Sequence, residues 1–274
     1  MNIKYFLTLC FYCLYISSAY ADQIIKRLPS GLEAFAEYKQ GETNKPSVLL
    51  LHGFLQTHHF RTIDTLRNNL ADEGYSVLSP TLSLGINRRK KSLACEAMHL
   101  HSMEDDINEI DFWVKWLISQ ENKPIIIVGH SYGSAQALAY AVSGNKHTNV
   151  KALVITSLVK IENSFKNYKE AKEAPMADGL VSNRLAYCDK YVSPRENFLS
   201  YTYWDHNNIL KALREVTLPI SVINGDKDER SSKQWISQLR ENNVNVIVLE
   251  GANHFFDNRE FELLDAEIEL IDKL

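Results

Sequence analysis

The chain has 274 residues, 45% of them hydrophobic and 23% charged, with a formal net charge of -4 at pH 7. That length and apolar content suit one α/β domain large enough to bury a sheet on both faces. The mildly acidic balance leaves no electrostatic footprint for nucleic acid, and no linker, repeat or low-complexity tract interrupts the chain.

The first segment, MNIKYFLTLCFYCLYISSAYA, places Lys4 ahead of an apolar core from Tyr5 to Ile16 and ends in Ala19-Tyr20-Ala21. This three-part pattern predicts a secretory signal over residues 1–21, cleaved before Asp22, with residues 22–274 exported to the periplasm or the medium. The apolar core is shorter than the ~20 residues a membrane span needs, so no stable span is expected in the mature chain; an uncleaved amino-terminal anchor is the alternative. Cleavage removes Lys4 and no acidic residue, which takes the net charge from -4 to -5. Cys10 and Cys13 leave with the signal, and Cys95 and Cys188 remain. In an oxidising compartment these two are expected to pair, the rival reading being two buried thiols.

Residues 22–40 read as two short strands, and Ser47 to Leu51 as a buried strand ending in His52-Gly53-Phe54. A strand that turns at His-Gly can aim backbone amides outward, and the Phe54 amide is the candidate. His52 reads as structural. The neighbours His58 and His59 carry no expectation of a metal, because adjacent side chains on regular structure diverge and no acidic or thiol ligand stands at ligand spacing nearby. A helical stripe at Leu66, Leu70 and Ala71 stops at Gly74, and Tyr75 to Leu78 is the next strand. The long connection from Ser79 to Met103 includes Arg88-Arg89-Lys90-Lys91, expected to be a solvated loop. Ser102 and Asp105 make a capping box for a helix whose apolar face runs through Ile107, Ile110, Val114 and Leu117.

Residues 124–136, PIIIVGHSYGSAQ, run an apolar strand into Gly129-His130-Ser131-Tyr132-Gly133 and on into a helix of small residues. A serine at such a turn is held in a strained conformation, and the residues two before and two after must be small for strand and helix to approach. The turn also opens a helix, so the Tyr132 amide and the positive helix end point where an oxyanion would form. Val150 to Leu158 is a further strand. Residues 159–216 then break the alternation with a polar run and an aromatic-rich run, expected to form a small lid; Tyr201, Tyr203 and Trp204 either line its underside or make its own core. The sheet resumes at Leu218 to Ile223, ahead of Asn224-Gly225-Asp226-Lys227-Asp228. Ser231 and Gln234 are expected to cap a helix, Val246 to Leu249 is the last strand, and His254 follows it directly.

A serine hydroxyl needs a base, and an imidazole base needs a carboxylate to fix its tautomer. The chain supplies these at strand ends in the order Ser131, acid, His254. The segments LLLHGF at 49–54, VGHSYGSA at 128–135, NGDKDE at 224–229 and GANHFF at 251–256 resemble the α/β-hydrolase superfamily over most of the mature chain. The resemblance implies a mostly parallel sheet flanked by helices on both faces, with a small lid insertion. It makes Ser131 the nucleophile, His254 the base and Asp228 the acid, with Asp226 the alternative, and the Phe54 and Tyr132 amides the oxyanion donors. It implies hydrolysis of a carboxylic ester through an acyl-enzyme, a small-molecule acyl substrate, and no cofactor or metal. Thioester, amide, lyase or perhydrolysis chemistry on the same triad, and a non-catalytic binding protein on this fold, are the other readings.

Overall fold

The computed structural model describes residues 22–161, 169–170, 172–173, 179–242 and 244–273. The expected signal segment, residues 1–21, lies outside the described residues, as does most of the polar run after Ile161.

Ten strands form. β1 (Asp22–Arg27), β2 (Glu33–Lys39), β3 (Ser47–Leu51), β4 (Ser76–Thr81), β5 (Ile125–His130), β6 (Val150–Thr156), β9 (Ile220–Gly225) and β10 (Asn245–Leu249) make an eight-stranded sheet in the order β1-β2-β4-β3-β5-β6-β9-β10. The β1–β2 and β2–β4 pairs are antiparallel and the rest parallel. β7 (Leu180–Leu185) and β8 (Cys188–Pro194) form a separate antiparallel pair. The helices are α1 (Arg61–Asp72), α2 (Met103–Gln120), α3 (Tyr132–Val142), α4 (Arg195–Thr202), α5 (His206–Glu215), α6 (Lys233–Glu241) and α7 (Glu260–Ile271).

The central strands are apolar at consecutive positions because each face meets helices. In β3, Leu49 and Leu51 join Trp113 of α2, Leu138 of α3 and Trp235 of α6 in one core; Val48 and Leu50 join Leu66 of α1 and Leu263 of α7 in the other. β5 divides in the same way, Ile125 and Ile127 to the first core and Ile126 and Val128 to the second. Parallel register then brings Leu51 beside Gly129, His130 beside Thr156 and Gly225 beside Leu249, so the ends of β3, β5, β6, β9 and β10 share one edge of the sheet. The turns that carry Phe54, Ser131, Asp228 and His254 follow the ends of β3, β5, β9 and β10.

Several local expectations hold and some shift. The Ser102 hydroxyl accepts the Asp105 amide at 3.2 Å while the Asp105 carboxylate accepts the Ser102 amide at 2.8 Å. The cap of α6 is Ser232, one residue beyond Ser231; Ser231 instead accepts from Asn224 at 2.6 Å, tying the turn after β9 to its own strand.

One core residue breaks the apolar pattern. Glu267 of α7 is fully buried and neither carboxyl oxygen has a hydrogen-bond partner among the described residues. Burial alone pushes its pKa from 4.5 up to about 8. The folded protein therefore holds this proton more tightly than the unfolded chain does. The stabilising contribution is complete below pH 4.5 and is lost as pH rises toward 8, roughly 3 kcal/mol of it between pH 4 and pH 7. Glu267→Leu is expected to raise the thermal midpoint at pH 8 and leave it nearly unchanged at pH 4. Equal shifts at both pH values would show that the carboxyl does not carry this dependence.

Candidate active site

Ser131 takes φ 55° and ψ -117°, a left-handed conformation that costs a β-carbon-bearing residue of order 1–3 kcal/mol. Two glycines make the turn possible. A β-carbon on Gly129 would lie 2.5 Å from the Gly133 carbonyl oxygen, and one on Gly133 would lie 2.6 Å from the His52 carbonyl oxygen. The strained turn is held from behind: the Ser131 amide donates to Thr156 O at 2.9 Å, and the buried Ser134 hydroxyl lies 2.7 Å from Gly129 O and 2.9 Å from Thr156 O.

His254 lies beyond β10 and Asp228 beyond β9. The imidazole Nε2 is 2.9 Å from Ser131 Oγ, and Nδ1 is 2.9 Å from Asp228 Oδ2. These partners set the tautomer: Nδ1–H donates to the carboxylate, and Nε2 accepts the serine proton. Asp228 is buried and its other oxygen accepts the Arg230 amide at 2.9 Å. Asp226 is turned away and accepts the Gly251 amide at 2.7 Å, so it braces the histidine loop without reaching the imidazole. Ser157 donates to the His254 carbonyl at 2.7 Å, and Thr62 to the Phe255 carbonyl at 3.1 Å. His130, beside the serine, is fully buried and held well below its usual pKa, first by burial and then by nearby His254, so it stays neutral.

The Phe54 and Tyr132 amides flank Ser131 in the two turns that meet there. Tyr132 is the first residue of α3 and its amide has no partner within the helix. Neither amide donates to another described residue. Phe54 is fixed by its surroundings. Its ring lies 4.9 Å from that of Tyr132 and 5.7 Å from that of Tyr187, and its carbonyl accepts the Tyr187 hydroxyl at 3.2 Å. Leu55 follows at φ 58°, its carbonyl accepting the Leu93 amide at 3.0 Å.

Arg89 corrects the sequence expectation of a wholly solvated basic run. It is 3% exposed and donates to Leu82 O at 2.7 Å, Lys91 O at 3.0 Å and Leu55 O at 3.5 Å. A guanidinium supplies five donors, which suits a turn with several inward-facing carbonyls. It also reaches His52 Nε2 at 3.2 Å, an atom that accepts the Leu82 amide at 3.1 Å, while His52 Nδ1–H donates to Gly53 O at 2.8 Å. Burial first, and then Arg89, depress His52 to about pKa 3, so it is a neutral brace for the turn that carries Phe54.

The three lid aromatics separate. Tyr201 is 1% exposed; its hydroxyl donates to Asp106 and meets His101 Nδ1 at 2.5 Å, and Gln136 donates to the same carboxylate at 2.6 Å. It belongs to a buried polar network beneath Phe54 and Tyr132. Trp204 is also buried, whereas Tyr203 is half-exposed. The exposed ring beside Phe54 is Tyr187, a residue that no local pattern singles out.

Cys95 and Cys188 form a disulfide with Cα atoms 5.3 Å apart, joining the 79–103 connection to the β7–β8 hairpin. His99 reinforces the junction, its ring stacked on Tyr191 at 4.1 Å and its amide donating to Val192 O at 2.8 Å. Two surface grooves, of about 560 and 420 Å³, are lined by residues such as Leu213, Pro219 and Asn242 in the first and Asp226, Glu250 and Arg259 in the second; neither is lined by Ser131 or His254.

His58 and His59 also depart from expectation. Both rings turn toward one carboxylate, Glu37 of β2, at 3.6 and 3.7 Å.

A doubly covered, mostly parallel sheet with a serine at a strand-to-helix turn and an acid and a histidine beyond later strands defines a hydrolase-type α/β architecture. The chain belongs to the alpha/beta hydrolase family, whose model matches residues 48–265. No functionally curated protein matches the sequence significantly. Similar solved structures include Est1E from Butyrivibrio proteoclasticus, with a TM-score of 0.66 at 14% identity over 92% of this chain and 98% of its own. A soluble variant of monoglyceride lipase from Saccharomyces cerevisiae superposes with a TM-score of 0.70 at 13% identity, covering 96% and 97%. The thioesterase domain from the curacin biosynthetic pathway gives 0.62 at 18% identity, covering 92% and 99%. Among the described residues no helix is long and apolar enough to cross a membrane.

Proposed function

We propose that the protein is a serine hydrolase that cleaves a carboxylic ester of a small molecule through an acyl-enzyme. The observation that carries this reading is the relay from Asp228 through His254 to Ser131, with 2.9 Å at both contacts and the serine on a strained turn. Ser131 Oγ attacks the carbonyl carbon as its proton passes to His254 Nε2, and Asp228 stabilises the imidazolium. The Phe54 and Tyr132 amides take up the charge on the carbonyl oxygen. The imidazolium then protonates the leaving alkoxide, and water, deprotonated by the same nitrogen, releases the acid. Each step uses side chains and amides of this chain.

Within the insertion after β6, the described residues 179–216 serve as a lid, with Tyr187 and Tyr203 as the rings open to substrate and Tyr201 and Trp204 as lid core. Residues 1–21 serve as an export signal, and the Cys95–Cys188 disulfide suits an oxidising compartment.

A fluorophosphonate probe is expected to label the wild type and not Ser131→Ala. Absence of labelling on folded wild-type protein would overturn the catalytic reading. A panel of p-nitrophenyl esters of rising chain length, run beside matched thioesters and anilides, gives the bond type and the acyl preference. Faster turnover of thioesters or anilides would displace the ester assignment.

A further inference from the structure

The geometry points to a divalent transition-metal site of the zinc class formed by Glu37, His58 and His59, on the far side of the loop that carries Phe54. Their ligand atoms all lie within 4.8 Å of one another. Two nitrogens and one oxygen, each about 2.0–2.2 Å from zinc at tetrahedral angles, stand roughly 3.4 Å apart. His58 Nε2 and His59 Nε2 are 3.6 and 3.7 Å from the same oxygen, Glu37 Oε1, so each of these two nitrogen–oxygen separations needs to contract by only a few tenths of an ångström to reach that spacing.

The surroundings distinguish this cluster from a chance meeting of charges. The His58 side chain is 4% exposed and its Nε2 has no hydrogen-bond partner among the described residues. Its Nδ1 lies 2.5 Å from Thr81 Oγ1, which also accepts the His58 amide at 3.1 Å. With Nδ1–H given to Thr81, Nε2 presents a lone pair to a carboxylate, two acceptors facing one another unless a cation stands between them. Ligating histidines characteristically bond their second nitrogen in this way. His59 Nδ1 faces Asp64 Oδ1 at 4.0 Å, a charge contact rather than a hydrogen bond.

Arg67 is the competing cation, and its placement leaves room. Its Nη1 takes the other oxygen, Glu37 Oε2, at 2.6 Å, and its Nη2 takes Asp64 at 2.5 Å. Glu37 Oε1 remains directed at the histidines. The His59 side chain is 54% exposed, which provides both an entry path and a solvent-facing fourth position for water. Two imidazoles and one carboxylate suit zinc, whereas calcium or magnesium would require an all-oxygen shell.

The site would act as a clip. Glu37 belongs to β2, whereas His58 and His59 end the loop that begins at His52, and Phe60 packs on Phe255 with ring centroids 5.3 Å apart. A bound ion thus fastens an outer antiparallel strand to the segment between Phe54 and α1. This inference does not rest on the esterase reading, and Ser131→Ala should bind metal as the wild type does.

The test uses tag-free protein incubated with zinc, desalted and assayed for retained metal. One zinc per chain is expected for the wild type, and none for His59→Ala, a half-exposed position where truncation leaves the core intact, or for Glu37→Gln. Cobalt in place of zinc should give the intense visible absorption of a tetrahedral site in the wild type alone. Saturating zinc should raise the wild-type thermal midpoint by about 5 °C and leave that of His59→Ala unmoved. Failure of the wild type to retain zinc, or equal retention by His59→Ala, would overturn the assignment, the second outcome pointing to other surface histidines.

Discussion

Ser131→Ala is expected to lower kcat for ester hydrolysis by about 10⁵-fold, and Asp228→Asn by about 10⁴-fold, both with KM nearly unchanged. The first substitution removes the attacking atom. The second leaves a group of the same shape at 2.9 Å from His254 Nδ1, but an amide has no negative charge to hold the imidazolium and can present a donor where Nδ1–H needs an acceptor. The imidazole is then driven to the tautomer that cannot accept from Ser131. Asp226→Asn is the informative control, because that carboxylate sits on the same turn, accepts the Gly251 amide and faces Lys227 at 3.8 Å. It should cost less than about tenfold, through a loosened histidine loop. Comparable losses for Asp226→Asn and Asp228→Asn would contradict the assignment of the acid, and residual turnover in Ser131→Ala near the wild-type rate would remove the serine from the mechanism.

The residues that carry this prediction were legible because their signals are local. Gly129, Ser131 and Gly133 lie within five positions, and the apolar run before them marks a strand of a two-sided sheet. The steric cause, a strand and a helix meeting at van der Waals distance, acts between neighbours in the chain. Asp228 and His254 follow from strand ends in the same way, since parallel strands deliver their following turns to one edge.

What sequence reasoning missed depends on partners remote in sequence. Arg89 reads as one of four solvated cations, and nothing local distinguishes it from Arg88, which is exposed and paired with Glu33. The carbonyls of Leu82, of Lys91 and of the strained Leu55, 34 positions upstream, draw it inside together with His52 Nε2. Tyr201 is buried by a hydroxyl contact to Asp106, 95 positions away. Glu37 meets His58 and His59 because β2 pairs with β4, the strand that also contributes Thr81. Ligand spacing along the chain cannot find a site whose third member arrives through a sheet register.

Removing the disulfide, by Cys95→Ala with Cys188→Ala, is expected to lower stability by about 4–5 kcal/mol, the loop-closure term for a cross-link between residues 93 apart. At the scale of a few degrees per kcal/mol for a chain of this size, the thermal midpoint should fall by about 10 °C. The effect should also reach the chemistry. Cys188 adjoins Tyr187, whose hydroxyl donates to the Phe54 carbonyl, and the Phe54 amide is the proposed oxyanion donor. A hairpin released from the 79–103 connection holds Tyr187 less firmly, so kcat should fall with little change in KM. Tyr187→Phe separates the two consequences: it should lower kcat by about tenfold in the disulfide-bonded protein, leave the thermal midpoint within about 2 °C, and add little further loss once the cysteines are gone. Full additivity of the two kcat effects would mean that the disulfide and Tyr187 act independently. An unchanged thermal midpoint in the double alanine variant would mean that the hairpin and the connection are held together by their noncovalent contacts, the His99–Tyr191 stack among them.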